Sequence, residues 1–246
     1  VEPLYTKSAK TYRSLVFDAY AEYYTGRKFE EIEDVDATEL RIDLTFPIFS
    51  KAQLRFSLPF YTNGEGVQIE NGEKTDLEGN GGTFNFASIG FEYQFLDSSQ
   101  SSMDLLGYLA FGYRADSIET SHGDYMNHRG KDIQIGARLD TPINPSWMFL
   151  TDVGFQYYYD SDDLNPAGDG DFGHLVATAA VIKHDRNLKP ALELTYRGDF
   201  SDYNNLAIVP ELIYSFNAID LKLGVPLGIT SDADDYGVTL GFTYRM

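Results

Sequence analysis

The chain has 246 residues, with 19 Lys and Arg against 38 Asp and Glu for a net charge of −19, no Cys, one Trp, 18 Tyr and 17 Phe. An aromatic share of 15% at a mean hydropathy of −0.30 excludes a disulfide-stapled domain and a polytopic helical membrane protein, and the same aromatic content excludes a disordered acidic chain. Phosphate binding needs clustered Lys and Arg, and no basic run occurs, so a nucleic-acid partner is excluded too.

The opening Val1-Glu2-Pro3-Leu4 has neither the basic nor the apolar region of a signal peptide. We read a mature or trimmed chain, with 1–11 as a periplasmic N-terminal segment. No apolar run reaches the roughly eighteen residues of a transmembrane helix.

From Tyr12 onward the chain reads as strands. The first, 12–24, is apolar on both parities. The second places Leu40, Ile42, Leu44 and Phe46 opposite Glu39, Arg41, Asp43 and Thr45, which is period two. Ala52, Leu54, Phe56, Leu58 and Phe60 alternate with Gln53, Arg55 and Ser57, closing a hairpin around Pro47-Ile48-Phe49-Ser50. The pattern repeats over 87–95, 105–114, 132–140, 149–158, 174–184, 192–197, 206–216, 219–225 and 238–246, twelve runs in all, with Val176, Ala180 and Ile182 blurring the eighth.

The connections alternate in length. After even-numbered runs they are short, near 48–51, 96–102, 141–146, 185–189 and 217. After odd-numbered runs they are mostly long and polar (25–36, 62–82, 116–130, 160–173, 229–236), with 201–205 short. An even strand number with short turns at one end and long loops at the other predicts a single domain over 1–246: an all-β, twelve-stranded, antiparallel, up-and-down transmembrane β-barrel.

Charge follows the same division. The windows 29–38, 62–82, 116–130, 160–173, 201–205 and 229–236 hold 22 acids and two bases, and the rest of the chain holds 16 acids and 17 bases. Solvated turns explain much of this, and a rim facing lipopolysaccharide-bound cations is the sharper reading. Aromatics gather near strand ends, with Tyr23, Tyr61, Phe84, Tyr113, Tyr157, Tyr159 and Phe200 at the long-loop side and Phe46, Phe49, Phe95, Trp147, Phe149, Phe216 and Tyr244 at the other. A soluble β-sandwich shares the alternation, so parity alone leaves both folds open. Loop asymmetry and the aromatic belts favour the membrane.

The ending Val238-Thr239-Leu240-Gly241-Phe242-Thr243-Tyr244-Arg245-Met246 resembles the terminal strand by which Gram-negative outer-membrane barrels are recognised for insertion, with Met in place of the usual Phe. The hairpin Leu40-Arg41-Ile42-Asp43-Leu44-Thr45 to Leu54-Arg55-Phe56-Ser57-Leu58-Pro59-Phe60-Tyr61 is similar to hairpins in a family of small outer-membrane transporters associated with phenol meta-cleavage pathways. The resemblance implies an outer-membrane channel and names no substrate.

Catalysis is not expected. His122 and His128 fall in a long loop, His174 at a loop-strand junction and His184 in a short turn, and none has a Ser and a carboxylate on matching strand positions. No cofactor and no metal are expected either. The one oxygen-rich candidate for a hard cation is the loop carrying Asp160, Asp162, Asp169 and Asp171, where Asn165 and Asp171 replace the Gly and Glu of an EF-hand.

The expected site is the lumen. Twelve strands enclose a space between a self-filling barrel and an open porin. The predicted lumen-lining set is Glu39, Arg41, Asp43, Arg55, Glu92, Asp104, Arg114, Asp132, Arg138, Asp140, Glu193 and Arg197. The expected function is a monomeric outer-membrane channel for passive diffusion of small polar or weakly amphipathic solutes. Its mild cation preference follows from thirteen acids against seven bases on the inward parity. Its surroundings are outer-membrane lipid and lipopolysaccharide. The alternatives are an adhesive or structural barrel with a plugged lumen and acidic loops, and a lipid-modifying enzyme.

Overall fold

The computed structural model describes residues 2–29, 32–70, 73–80, 87–99, 101–120, 125–162, 172–200 and 203–246. Among them twelve strands form the wall: β1 (Val16–Phe29), β2 (Ile32–Phe49), β3 (Ala52–Glu70), β4 (Ala87–Leu96), β5 (Asp104–Thr120), β6 (Tyr125–Asn144), β7 (Trp147–Asp162), β8 (Phe172–Lys183), β9 (Leu188–Gly198), β10 (Asn204–Phe216), β11 (Ile219–Gly224) and β12 (Tyr236–Arg245). Each pairs antiparallel with its sequence neighbour. β12 then pairs with β1 from Val16↔Arg245 to Thr25↔Tyr236, which closes the sheet and leaves no edge.

The alternation decides between the two folds that parity left open. The large apolar side chains point out: Ile135 is 59% and Leu240 55% exposed, with Phe91, Phe111, Phe155, Leu192 and Leu221 similarly bare. The charged parity points in, with Glu92 at 1% and Glu193 at 0%. A wall with Leu and Phe outside and carboxylates inside is stable only where the surrounding solvent is hydrocarbon, so the chain is a membrane barrel and the soluble sandwich is excluded. Exposed Phe46, Phe49, Phe95, Phe216 and Tyr244 ring the short-turn end, and Tyr23, Tyr113, Tyr157, Phe200 and Tyr236 the other. Phe84 and the Tyr61 side chain lie outside the described residues.

Local chemistry places the irregularities. Asn217 takes a left-handed φ of 53° in the tight β10–β11 turn, a conformation an asparagine side chain tolerates. At Pro59, which has no N–H for the ladder, the β2–β3 register shifts from Leu40↔Tyr61 to Arg41↔Pro59. Pro226 ends β11 early, and the ladder resumes only at Leu227–Gly228, which pairs with Ala207 and Ile208 of β10.

The wall is taller than a bilayer requires. β2, β3, β5, β6 and β7 have 18, 19, 17, 20 and 16 residues, well beyond the roughly 9–11 that span. Parts of 25–36, 62–82 and 116–130, read from sequence as loops, are therefore paired strand. Residues Glu73–Asn80 fold back on the outer half of β3, while the inner half pairs with β4. In the sequence these windows carry polar residues at both parities, so they give no period-two signal even where backbone pairing continues.

Arginine at the centre of the lipid face tests this placement. Leu240→Arg and Phe111→Arg are each expected to lower refolding stability in lipid vesicles by about 2–4 kcal/mol, measured by denaturant titration of heat-modifiable gel mobility. An unchanged midpoint in both variants would return these side chains to an aqueous surface.

Candidate functional site

The interior contains more than its own wall. Residues 1–11 read from sequence as a periplasmic segment, but residues 2–12 lie inside the barrel, with Glu2, Leu4, Thr6, Ser8 and Ala9 buried. The physical reason is the wall beneath them: an inward-facing carboxylate needs donors, and backbone N–H groups supply them. Leu4 N donates to Glu211 Oε2 at 3.2 Å, Tyr5 N to Glu193 Oε2 at 3.2 Å and Thr6 N to Glu193 Oε1 at 2.7 Å. Ala9 N donates to Asp140 Oδ1 at 2.9 Å, Thr11 N to Gln94 Oε1 at 3.3 Å and Tyr12 N to Gln53 Oε1 at 2.8 Å. Thr11 Oγ1 also reaches Ser50 O in the β2–β3 turn at 3.0 Å, so the segment enters from the short-turn end.

Side chains complete the docking. The Leu4 methyls rest on the inward glycines Gly224 and Gly241, where an added Cβ would come within 2.4 and 2.9 Å of them. Lys7 Nζ donates to Tyr20 OH at 2.7 Å and lies 3.7 Å from Asp43, and Lys10 lies 3.4 Å from Asp104. Lys222 Nζ donates to Pro3 O at 3.3 Å, and the Glu2 carboxylate lies 3.8 Å from Arg55 Nη2. Burial pushes the Glu2 carboxyl up, but Arg55, Lys7 and Lys222 outweigh it and hold the group well below the ordinary carboxylate range.

One side of the interior is a continuous ion-pair chain. Glu92 accepts from Arg55 Nε at 2.9 Å and from Arg138 Nη1 at 2.7 Å, and Gln53 donates to it as well. Arg138 Nε donates to Asp152 at 2.7 Å, and Tyr108 OH donates to the other Asp152 oxygen at 2.8 Å. Tyr108 reaches so far along the wall because Gly136 and Gly154 lie under its hydroxyl. A Cβ at either would approach it to 2.4 Å. The Arg138 guanidinium lies 4.6 Å from the centre of the Tyr108 ring.

The other expected residues divide among several settings. Arg41 sits over Tyr20 at 4.8 Å and lies 3.4 Å from Asp43. Glu39 is buried on the same face of β2. Asp104 accepts from Gln94 Nε2 at 3.1 Å and from Ser98 N at 2.7 Å. Nearer the long-loop end, Asp132 accepts from Gln156, whose Oε1 takes Arg197 Nη2 at 2.9 Å. Asp140 and Glu193 hold the N-terminal segment. The Arg114 side chain lies outside the described residues, as do the side chains of Asp160, Asp162, Asp169 and Asp171. His122 and the His128 side chain do so too. His174 is buried among the rings of Tyr158, Phe172 and Tyr203. Among the described residues no group of three metal-ligating side chains comes together.

Sequence reasoning missed two parts of this interior. One is the N-terminal segment, which has no period to mark it. The other is an apolar patch of Leu150, Ala180, Ile182, Ala191 and Ile213 with Met148 beside it. Its signal was present, since Leu150, Ile182 and Ile213 share the inward parity of Asp152, Thr178 and Glu211.

The chain from Glu92 to Asp152 sets the strength of this wall. Glu92→Gln leaves two buried guanidinium groups short of a charge, with an expected loss of about 3 kcal/mol. Arg138→Met is expected to lose a similar amount, and the double variant less than the sum of the two, in vesicle refolding.

No protein-family model and no curated protein sequence matches the chain. Solved structures match it over nearly its whole length at low identity. It is similar to an outer-membrane channel from Pseudomonas putida F1 (11% identity, all of both chains covered, TM-score 0.58). It is also similar to the NanC porin (13% identity, 94% of this chain and 100% of that one, TM-score 0.57). The transport unit of the autotransporter AIDA-I from Escherichia coli matches with a TM-score of 0.60 at 10% identity, over 96% of this chain and 91% of that one. What these proteins share with the chain is the fold of a bacterial outer-membrane β-barrel.

Proposed function

We propose that the chain is an outer-membrane channel for small polar or weakly amphipathic solutes, closed by residues 2–12 and opened when that segment leaves its sockets. The observation that carries this reading is the way the segment is held. Its docking is made of separate hydrogen bonds, the ion pairs of Lys7 with Asp43 and Lys10 with Asp104, and small apolar contacts at Leu4 and Ala9, while the strands close on each other without it. The wall left behind carries Arg41, Arg55, Arg138, Arg197 and Lys222 among more numerous acids, including Glu39, Glu92, Asp132, Asp140, Glu193 and Glu211, so cations pass more readily than anions. Membership of the channels associated with phenol meta-cleavage pathways, suggested by the 40–61 hairpin, is compatible with this class. The similar solved structures include channels and a porin, which supports transport over enzymatic chemistry.

The second reading is a monomeric structural or adhesive barrel with a plugged lumen, whose acidic surface loops bind a partner or lipopolysaccharide-bound cations. The same segment favours it, because the segment occupies the lumen.

Planar-bilayer recording separates the two. The unmodified protein is expected to open briefly and with cation preference. Leu4→Asp places a charge beside Glu193 and Glu211, costs the docked state about 3 kcal/mol, and raises the open fraction by roughly 100-fold. A silent bilayer for both proteins, refolded and heat-modifiable, sinks the channel and leaves the plugged barrel.

A further inference from the structure

We infer that the docking site of residues 2–4 is a binding site for short zwitterionic peptides, two or three residues long and bearing an apolar side chain, which compete with the segment for the lumen. This rests on the reading that the segment is displaceable.

The wall here recognises a peptide through its general features. Glu211 and Glu193 accept backbone N–H groups, Lys222 donates to a backbone carbonyl, Arg55 faces a carboxylate, and Gly224, Gly241 and Val209 form a hollow around an aliphatic side chain. Amide hydrogen, amide oxygen, carboxylate and side chain are thus each met by a buried group of matching chemistry. All but the contacts of Glu193 involve just three consecutive residues of the chain. The distance between the basic and acidic ends of the site is therefore one that a dipeptide or tripeptide spans.

The resident segment also satisfies the site incompletely. Glu211, only 5% exposed, receives no donor from the segment at Oε1, and Arg55 Nη1 and Nη2 are buried with no hydrogen-bond acceptor among the described residues. The Glu2 carboxylate, at 3.8 Å, is too distant to bond the guanidinium. A free peptide brings what these atoms lack. When it binds with its chain direction opposite to that of the segment, its terminal ammonium offers Glu211 three N–H donors where the segment presents one amide, and its terminal carboxylate can pair with the Arg55 fork in bidentate fashion. Charge-assisted bonds to groups that are already desolvated are the means by which a small ligand can displace a longer tethered one.

Binding and flux are measured on the full chain with alanyl-leucyl-alanine and with its N-acetylated, C-amidated form. In equilibrium dialysis against the detergent-solubilised protein, the zwitterionic peptide is expected to bind saturably, roughly tenfold more tightly than the blocked one. Glu211→Gln and Lys222→Met, which touch the segment and leave the Arg55–Glu92–Arg138 chain intact, are each expected to remove that preference. Absence of saturable binding, equal affinity for the two peptides, or a preference that survives both substitutions overturns the inference. Flux into protein-loaded liposomes distinguishes the two levels of the argument. Binding without flux of any solute leaves the peptide site standing and defeats the channel, whereas flux without peptide preference does the reverse.

Discussion

A sheet one residue thick, closed in hydrocarbon, has no second layer behind which to hide a polar group. Everything else in this molecule depends on that constraint. Because every second side chain must face lipid, the remaining half face a confined interior, and whatever is charged there must find partners within it. Thus the Arg55–Glu92–Arg138–Asp152 chain and the inserted N-terminal segment are two answers to one problem. On the β3–β7 side the wall supplies its own counter-charges. On the β9–β11 side it supplies Glu193 and Glu211 with Lys222 as the nearby base, and the chain's own amides make up the deficit.

The two answers differ in what they allow. Ion pairs between neighbouring strands stiffen the wall and stay with it. Amide-to-carboxylate bonds made by a separate segment can break as a group without disturbing the ladder. The interior therefore combines a fixed lining and a removable one. In the proposed opening, departure of the segment is what exposes the net acid of that side to solutes.

How much of this was legible in the sequence follows from the same physics. Counting residues in twos places Leu240 and Phe111 on one face and Glu92 and Glu193 on the other, because the strand period is 2 wherever two different solvents meet the wall. It fails toward the long-loop ends of β2, β3 and β6, where polar residues occupy both parities of the sequence although backbone pairing continues. It fails for Leu150, Ile182 and Ile213 for the opposite reason, since apolar residues inside a barrel look like noise when the interior is assumed to be polar. Gly136 and Gly154 read as weak strand residues until Tyr108 is seen lying across them. The segment 2–12 offered no periodicity at all, and the acceptors that hold it, Gln53, Gln94, Asp140, Glu193 and Glu211, are scattered over five strands.

That mode of attachment constrains how such a segment can change over time. The wall grips Leu4, Tyr5, Thr6, Ala9, Thr11 and Tyr12 by amide hydrogens that nearly every amino acid possesses. Apart from Leu4, whose methyls fill the hollow over Gly224 and Gly241, side chains there can drift while the amide anchorage persists, and a prohibition applies to all six positions: proline, which has no amide hydrogen, is excluded. The chain places its Pro3 immediately before the first of them, where the wall takes a carbonyl oxygen instead. Barrels whose opening residues look unrelated by alignment can for this reason hold them in the same place, and the pattern of missing prolines is the trace to look for.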